Sequence, residues 1–199
     1  MIDAKPSNVP EGWHSRGYLP HFDGGEIPQS ITFRLADSLP QKLLARWREE
    51  LRKDDCDTDA ALRKRIELFL DHGYGECHLH DPRVAEMVQN SLLFFDRVRY
   101  RLSAWVVMPN HVHLLLTPGE NHELSGILQS LKSYTANEAN KLIGRKGQFW
   151  QKESFDRWIR DAEHFVKVVA YIENNPVKAR LCKRAEDWRF SSAGWRKRR

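Results

Sequence analysis

The sequence predicts an α+β domain built on an antiparallel sheet. Three observations lead there. The elements run strand, helices, two strands, helix, strand, helix, an order that does not fit a regular βαβ array. The two adjacent strands are joined across Pro109-Asn110, a turn signal short enough for an antiparallel hairpin. The chain has 199 residues, 41% apolar and 30% charged, enough for one core and little more. The same balance argues against global disorder and against a fibrous repeat.

Each element has its local reason. Residues 1–29 are rich in Pro, Gly and polar groups and read as an extended arm. SITFRLA (30–36) alternates, with β-branched and aromatic side chains, as a strand does. Asp37 or Ser38 can cap a helix with Pro40 near its first turn, and that helix covers 41–52. A polar stretch at 53–57 interrupts it before a second helix at 58–71. HGYGEC (72–77) is a turn, and Asp81-Pro82 opens a helix over 82–95 with Val84, Met87, Val88, Leu92 and Phe95 at helical spacing. Strands follow at 100–108 and 112–117, then a helix at 123–143. FWQKESFDRWI (149–159) reads as a strand or an irregular pair of strands. Asp161 caps a helix over 162–174, expected to stop before Asn175-Pro176. The helical stretch 41–95 is an insertion in a domain spanning 30–193, and 194–199 is a basic tail.

Composition removes several classes. Three cysteines without a CxxC indicate neither a disulfide framework nor a zinc ribbon. No apolar run approaches the ~20 residues that cross a bilayer, and the amino end lacks an apolar signal-peptide core. The expectation is a reduced, soluble, cytoplasmic protein. Lys and Arg number 32 against 27 acids, a net charge of +5 that weakly favours a polyanionic partner. Four of the positive charges are the last four residues, Arg196, Lys197, Arg198 and Arg199, a candidate clamp on phosphates.

Two histidines, His111 and His113, bracket Val112 in MPNHVHLLLTP. Residues two apart in a strand share a face, so both imidazoles point the same way. Such a pair offers two nitrogen donors to a divalent metal, or is satisfied by hydrogen bonds near a strand end. His78 and His80 form a second pair beside Cys77 and Asp81, but between a glycine turn and a helix start, where Asp81 is a helix cap with Pro82 at the first position. In the helix 123–143, Leu124, Ile127, Leu128, Leu131 and Leu142 draw an apolar stripe. At about 100° per residue Tyr134 lies at its border and Glu138 near its centre, one turn apart. A carboxylate in that place needs a partner or a metal. A small rotation of the helix instead lets Glu138 reach solvent while Tyr134 packs.

MPNHVHLLLTP, then LKSYTANEANK, FWQKESFDRWIRD and YIENNPVKARL in order, together with the arm GWHSRGYLPHFD leading into ITFRLADSLP, resemble the REP-associated tyrosine transposases. These are relatives of the IS200/IS605 insertion-sequence transposases within the HUH endonuclease class. The resemblance covers about residues 12–193. It implies a ferredoxin-like fold, a four-stranded antiparallel sheet backed by helices. It implies that His111 and His113 hold Mg²⁺ or Mn²⁺, that Tyr134 is the single nucleophile, and that Glu138, or nearby Asn137, completes the metal shell. It further implies that Arg16, Gly17, Tyr18 and Leu19 read a short single strand beside a hairpin. Lys132, Trp150 and Arg157 are candidate DNA contacts.

The expected activity is cleavage and rejoining of single-stranded DNA beside palindromic repeat hairpins through a 5′-phosphotyrosine, in a bacterial, nucleoid-associated protein. No nucleotide cofactor is expected, since the covalent bond conserves the phosphoester energy and no Walker A motif is present. A non-catalytic hairpin-binding protein is the alternative reading, and a metal-dependent RNA-processing enzyme a third. The state expected is monomer or homodimer.

Overall fold

A computed structural model describes residues 13–15, 20–22, 25–53 and 58–199. Four strands form the main sheet: β3 (Gln29–Arg34), β4 (Tyr100–Val107), β5 (His111–Pro118) and β6 (Phe155–Trp158), in the order β4-β5-β3-β6, with every pair antiparallel. Ahead of them β1 (Trp13–Ser15) and β2 (Pro20–Phe22) pair as a separate ribbon. The helices are α1 (Gln41–Lys53), α2 (Thr58–Asp71), α3 (Pro82–Phe94), α4 (Leu124–Leu142), α5 (Ala162–Lys178) and α6 (Ser192–Lys197). Without α1, α2 and the closing α5 and α6, the run β3-α3-β4-β5-α4-β6 is the split βαβ arrangement of a ferredoxin-like domain. Among the described residues no helix is long and apolar enough to cross a membrane.

Strand alternation divides the molecule into layers. Ile31 and Phe33 of β3 and Val112, Leu114 and Leu116 of β5 join the apolar sides of α3 (Val84, Val88, Leu92) and α4 (Leu124, Ile127, Leu131) in the largest core. The opposite face carries Ala104, Val106 and Leu115, covered by Ile172, Val168 and Phe165 of α5. Beside α5 on that face, α1 and α2 make their own apolar seam (Leu44, Leu51, Leu62, Ile66, Leu70), joined to the sheet by Phe155. Covered on both sides, β5 is buried along its whole length.

Local chemistry explains the element ends. Asp81 accepts from the Arg83 backbone N–H at 2.9 Å and Pro82 opens α3. The loop before it needs a glycine at residue 75: φ is +92° there, and a Cβ would stand 3.1 Å from the Ser38 Cα. Asp161 caps α5 through the His164 N–H at 2.7 Å. α5 does not stop at Asn175-Pro176 as the proline suggested. It runs on to Lys178 with Pro176 inside. A proline in a last turn removes one hydrogen bond without ending the helix, and Ala179 and Leu181 close it onto the carbonyls of Asn175 and Pro176.

The basic tail is not a free arm. Ser191 caps α6, whose Trp195 lies against Trp105 of β4. Arg196 makes bonds of 2.6 and 2.7 Å to both oxygens of Glu173 on α5. Lys197 reaches Asp187 at 2.9 Å, Arg198 donates to the Arg189 carbonyl, and the Arg199 guanidinium lies over Trp195. The expected phosphate clamp is thus a docked helix whose charges already have partners.

Trp150, expected to touch DNA, is instead a core residue. It is buried, meets Phe33 edge-to-face at 4.8 Å between centroids, and donates its indole N–H to Thr135 Oγ1 at 2.9 Å. Trp150→Ala should therefore cost about 3–5 kcal/mol of unfolding free energy, measurable in a urea titration.

Candidate metal and tyrosine centre

The register of the central strands builds the site. His113 of β5 stands opposite Thr32 of β3, and His111 opposite Arg34. Val112 points into the α3/α4 core, so both histidines point to the other face, beneath α5. Their Nε2 atoms face each other at 3.0 Å. His111 Nδ1 meets Asn110 Oδ1 at 2.7 Å, and the Asn110 amide nitrogen donates to the Tyr74 carbonyl at 2.9 Å. The amide oxygen is thereby the acceptor, so His111 carries its proton on Nδ1 and keeps a lone pair on Nε2. His113 Nδ1 meets the Thr32 hydroxyl at 2.7 Å. A hydroxyl donates or accepts, so His113 can hold its proton on either nitrogen.

α5 supplies the other side. The Tyr171 ring lies 5.6 Å from the His113 ring, edge-on. Asn175, one turn later and wholly buried, brings its side-chain nitrogen to 3.3 Å from His113 Nε2. Its amide oxygen is buried without a hydrogen-bond partner. That orphaned oxygen and the two imidazole lone pairs converge as two nitrogens and one oxygen, a donor set suited to a divalent cation once the amide turns its oxygen inward. Among the described residues, no cluster of three or more His, Cys, Asp or Glu side chains could hold a metal. An amide oxygen is what completes this set.

Burial drives both histidines toward the neutral form. His111 is held well below the usual imidazole range by desolvation, then by His113 and Lys178. His113 is pushed down to about 3 by desolvation and by the Lys178 charge. The Tyr171 phenol is shifted the other way, raised by burial and then by the Glu67 and Asp71 carboxylates.

The site opens into a cleft of about 710 Å³ between α2 and α5, floored by β3 and β6. Thr32, Tyr171, Glu67, Lys64, Arg157, His164 and Lys178 line it. Arg157 is exposed there, where a candidate DNA contact needs to be. Lys132 is not available in the same way: its ammonium donates to the Lys152 carbonyl at 2.6 Å, and burial and Arg34 lower its pKa to about 8. Arg16, Gly17, Tyr18 and Leu19 lie outside the described residues.

Tyr134 and Glu138 are not brought to the histidines. α4 lies on the opposite face of the sheet, and Tyr134 is 55% exposed beside Met87, Ser91 and Phe94 of α3. The apolar stripe of α4 continues through Thr135 and Ala139, one position beyond Tyr134 and Glu138. Glu138 sits at the rim, paired with Lys141 at 2.7 Å, and Asn137 is exposed on the same surface. Sequence reasoning missed Tyr171 and Asn175 because it ended the helix before Asn175. The signal was present: a tyrosine and an amide one turn apart, in YIENNP. The rival pair has no such setting: His78 stacks on Phe149 and His80 is exposed.

Neutral buried histidines make stability depend on pH. Their native pKa values lie below the unfolded value, so the stabilisation is full above about pH 6.5 and is lost as pH falls toward about 3. Denaturant titrations in chelator should lose up to about 1.4 kcal/mol per pH unit for each histidine through that window. His113→Asn should flatten the slope relative to wild type.

The family description "Transposase IS200 like" matches residues 79–175, which run from the turn before α3 to Asn175 and include both histidines and Tyr171. A REP-associated tyrosine transposase of Escherichia coli K12 is 29% identical over 109 residues, covering 54% of this chain and 63% of that protein. The chain thus aligns with about three fifths of that relative's length. A solved REP-associated tyrosine transposase bound to a REP hairpin superposes with a TM-score of 0.55 at 20% identity, over 88% of this chain and 82% of the other. The fold is therefore shared with that structure, and the chain is a homologue of the IS200-like transposases, the REP-associated tyrosine transposases among them.

Proposed function

We propose that the chain is a metal-dependent single-strand DNA nickase and strand transferase that acts beside palindromic hairpins, with Tyr171 as its nucleophile. The observation that carries this reading is the convergence of the facing His111 and His113 nitrogens with Tyr171 and Asn175 of one helix. The homology supplies the class of reaction. In this reading Tyr171 takes the role that the resemblance gave to Tyr134, and Asn175 that of Glu138.

His111, His113 and Asn175 would hold Mg²⁺ or Mn²⁺, and a divalent ion there supplies Lewis-acid polarisation of the scissile phosphate. Asn110 fixes the His111 tautomer, and Thr32 accepts the His113 proton so that both Nε2 lone pairs stay free. Tyr171 Oη attacks the phosphorus and the 3′-oxygen leaves, giving a 5′-phosphotyrosine and a free 3′-hydroxyl. A second 3′-hydroxyl then attacks the phosphotyrosine and rejoins the strand. Lys64, Arg157 and Lys178 offer phosphate contacts along the cleft. Arg16, Gly17, Tyr18 and Leu19 keep the base-reading role that the resemblance implies.

The test uses an oligonucleotide hairpin with a single-stranded flank, labelled at its 3′ end, incubated with the chain and Mn²⁺. The label should move onto the protein on a denaturing gel. Tyr171→Phe should abolish the adduct while Tyr134→Phe retains it; the reverse outcome would restore Tyr134. Hairpin binding without any adduct would favour a binding module instead. In calorimetry, His113→Ala and Asn175→Ala should weaken Mn²⁺ binding, and Glu138→Ala should leave it unchanged.

A further inference from the structure

Tyrosine is a poor nucleophile until it loses its proton, and an unperturbed phenol holds that proton to a pKa near 10. The metal-and-tyrosine set leaves the destination of the proton open. His111 and His113 turn their Nε2 atoms to each other, and Asn175 carries no basic group. Lys178, whose ammonium lies 5.7 Å from the centre of the Tyr171 ring, is bound to Asp71 at 2.7 Å.

The inserted hairpin α1–α2 closes this gap. α2 forms the wall of the cleft that faces Tyr171, and it presents Glu67 and Asp71 one turn apart. Asp71 is engaged: its side chain is 8% exposed and one oxygen holds Lys178, which pins the end of α2 to the end of α5. Glu67 lines the same cleft as Tyr171 and stands within hydrogen-bonding reach of its hydroxyl. The hydroxyl itself is buried and makes no well-formed hydrogen bond, so it is poised beside the carboxylate and not locked to it.

We propose that Glu67 is the proton acceptor for Tyr171, a catalytic carboxylate contributed by the helical insertion. The proposal rests on Tyr171 being the nucleophile. As the Tyr171 Oη–phosphorus bond forms, the Oη proton passes to the Glu67 carboxylate. The phosphorus–O3′ bond breaks, its electron pair leaves with O3′, and O3′ takes a proton from water. In the rejoining step an incoming 3′-hydroxyl attacks phosphorus, and the departing Tyr171 oxygen recovers its proton from the Glu67 carboxylic acid. The same carboxylate is base in one direction and acid in the other.

Single-turnover formation of the covalent adduct, with the full chain and Mn²⁺, measures the step. Glu67→Gln keeps the shape and removes the basicity, so the adduct rate should fall about 10²–10⁴-fold. Affinity for a hairpin oligonucleotide and for Mn²⁺ should be unchanged. Replacing Tyr171 by 3,5-difluorotyrosine makes the phenol more acidic and lessens its need for a base, so it should recover part of the loss in Glu67→Gln. A merely structural Glu67 would show no such recovery. Should Glu67→Gln fail to fold, Glu67→Asp, which retracts the base, carries the same test of loss and recovery. A wild-type adduct rate in the variant, or a loss that the fluorinated tyrosine does not relieve, overturns the proposal. An adduct that persists in Tyr171→Phe overturns the nucleophile assignment itself, whatever Glu67 does.

Discussion

The pairing register between β3 and β5 is the constraint on which the centre depends. With Thr32 opposite His113, a hydroxyl falls beside Nδ1 of the imidazole whose other nitrogen faces His111. A slip of one residue would bring the opposite face of β3 against the histidines and offer them Phe33 in place of Thr32. Apolar burial on both faces of β5 forbids that slip. Val112, Leu114 and Leu116 are committed to α3 and α4, and Leu115 to α5. Core packing thus holds a polar site in position, although the polar groups contribute little to the packing themselves.

Much of this was legible in the sequence. The α1 and α2 segments, the Asp81-Pro82 start of α3, the strand pair around Pro109-Asn110 and the shared face of His111 and His113 all follow from local periodicity and turn chemistry. What failed was the choice of partner across space. Periodicity says that Tyr134 is near an apolar stripe, but not which face of the sheet receives that stripe. The stripe of α4 also turns by one residue near its end, onto Thr135 and Ala139, and that turn frees Glu138 to pair with Lys141. Pro176 misled in a different way: it cost the helix one hydrogen bond but did not end it, and the Asn175 amide is held within that last turn.

Charge proved equally dependent on context. The four basic residues at the carboxyl end dominate the net charge, yet they hold α6 against α5 and β4. Lys132 ties the segment before β6 to α4, while Arg157 and Lys178 stay at the cleft. A cation that braces the fold and a cation that faces a substrate are the same letter in the sequence. Only the positions of acids and carbonyls around each separate the two roles.

Thr32 gives the centre a way to part with an ion while keeping its shape. When the hydroxyl donates to His113 Nδ1, the proton of His113 sits on Nε2 and bridges to His111 across the 3.0 Å gap. When the hydroxyl accepts, that nitrogen presents a lone pair instead. The exchange relocates hydrogens and leaves the two rings where they are. The empty and loaded forms of the histidine pair are therefore nearly isosteric, so little reorganisation separates them, and loading does not have to wait for the surrounding core to move.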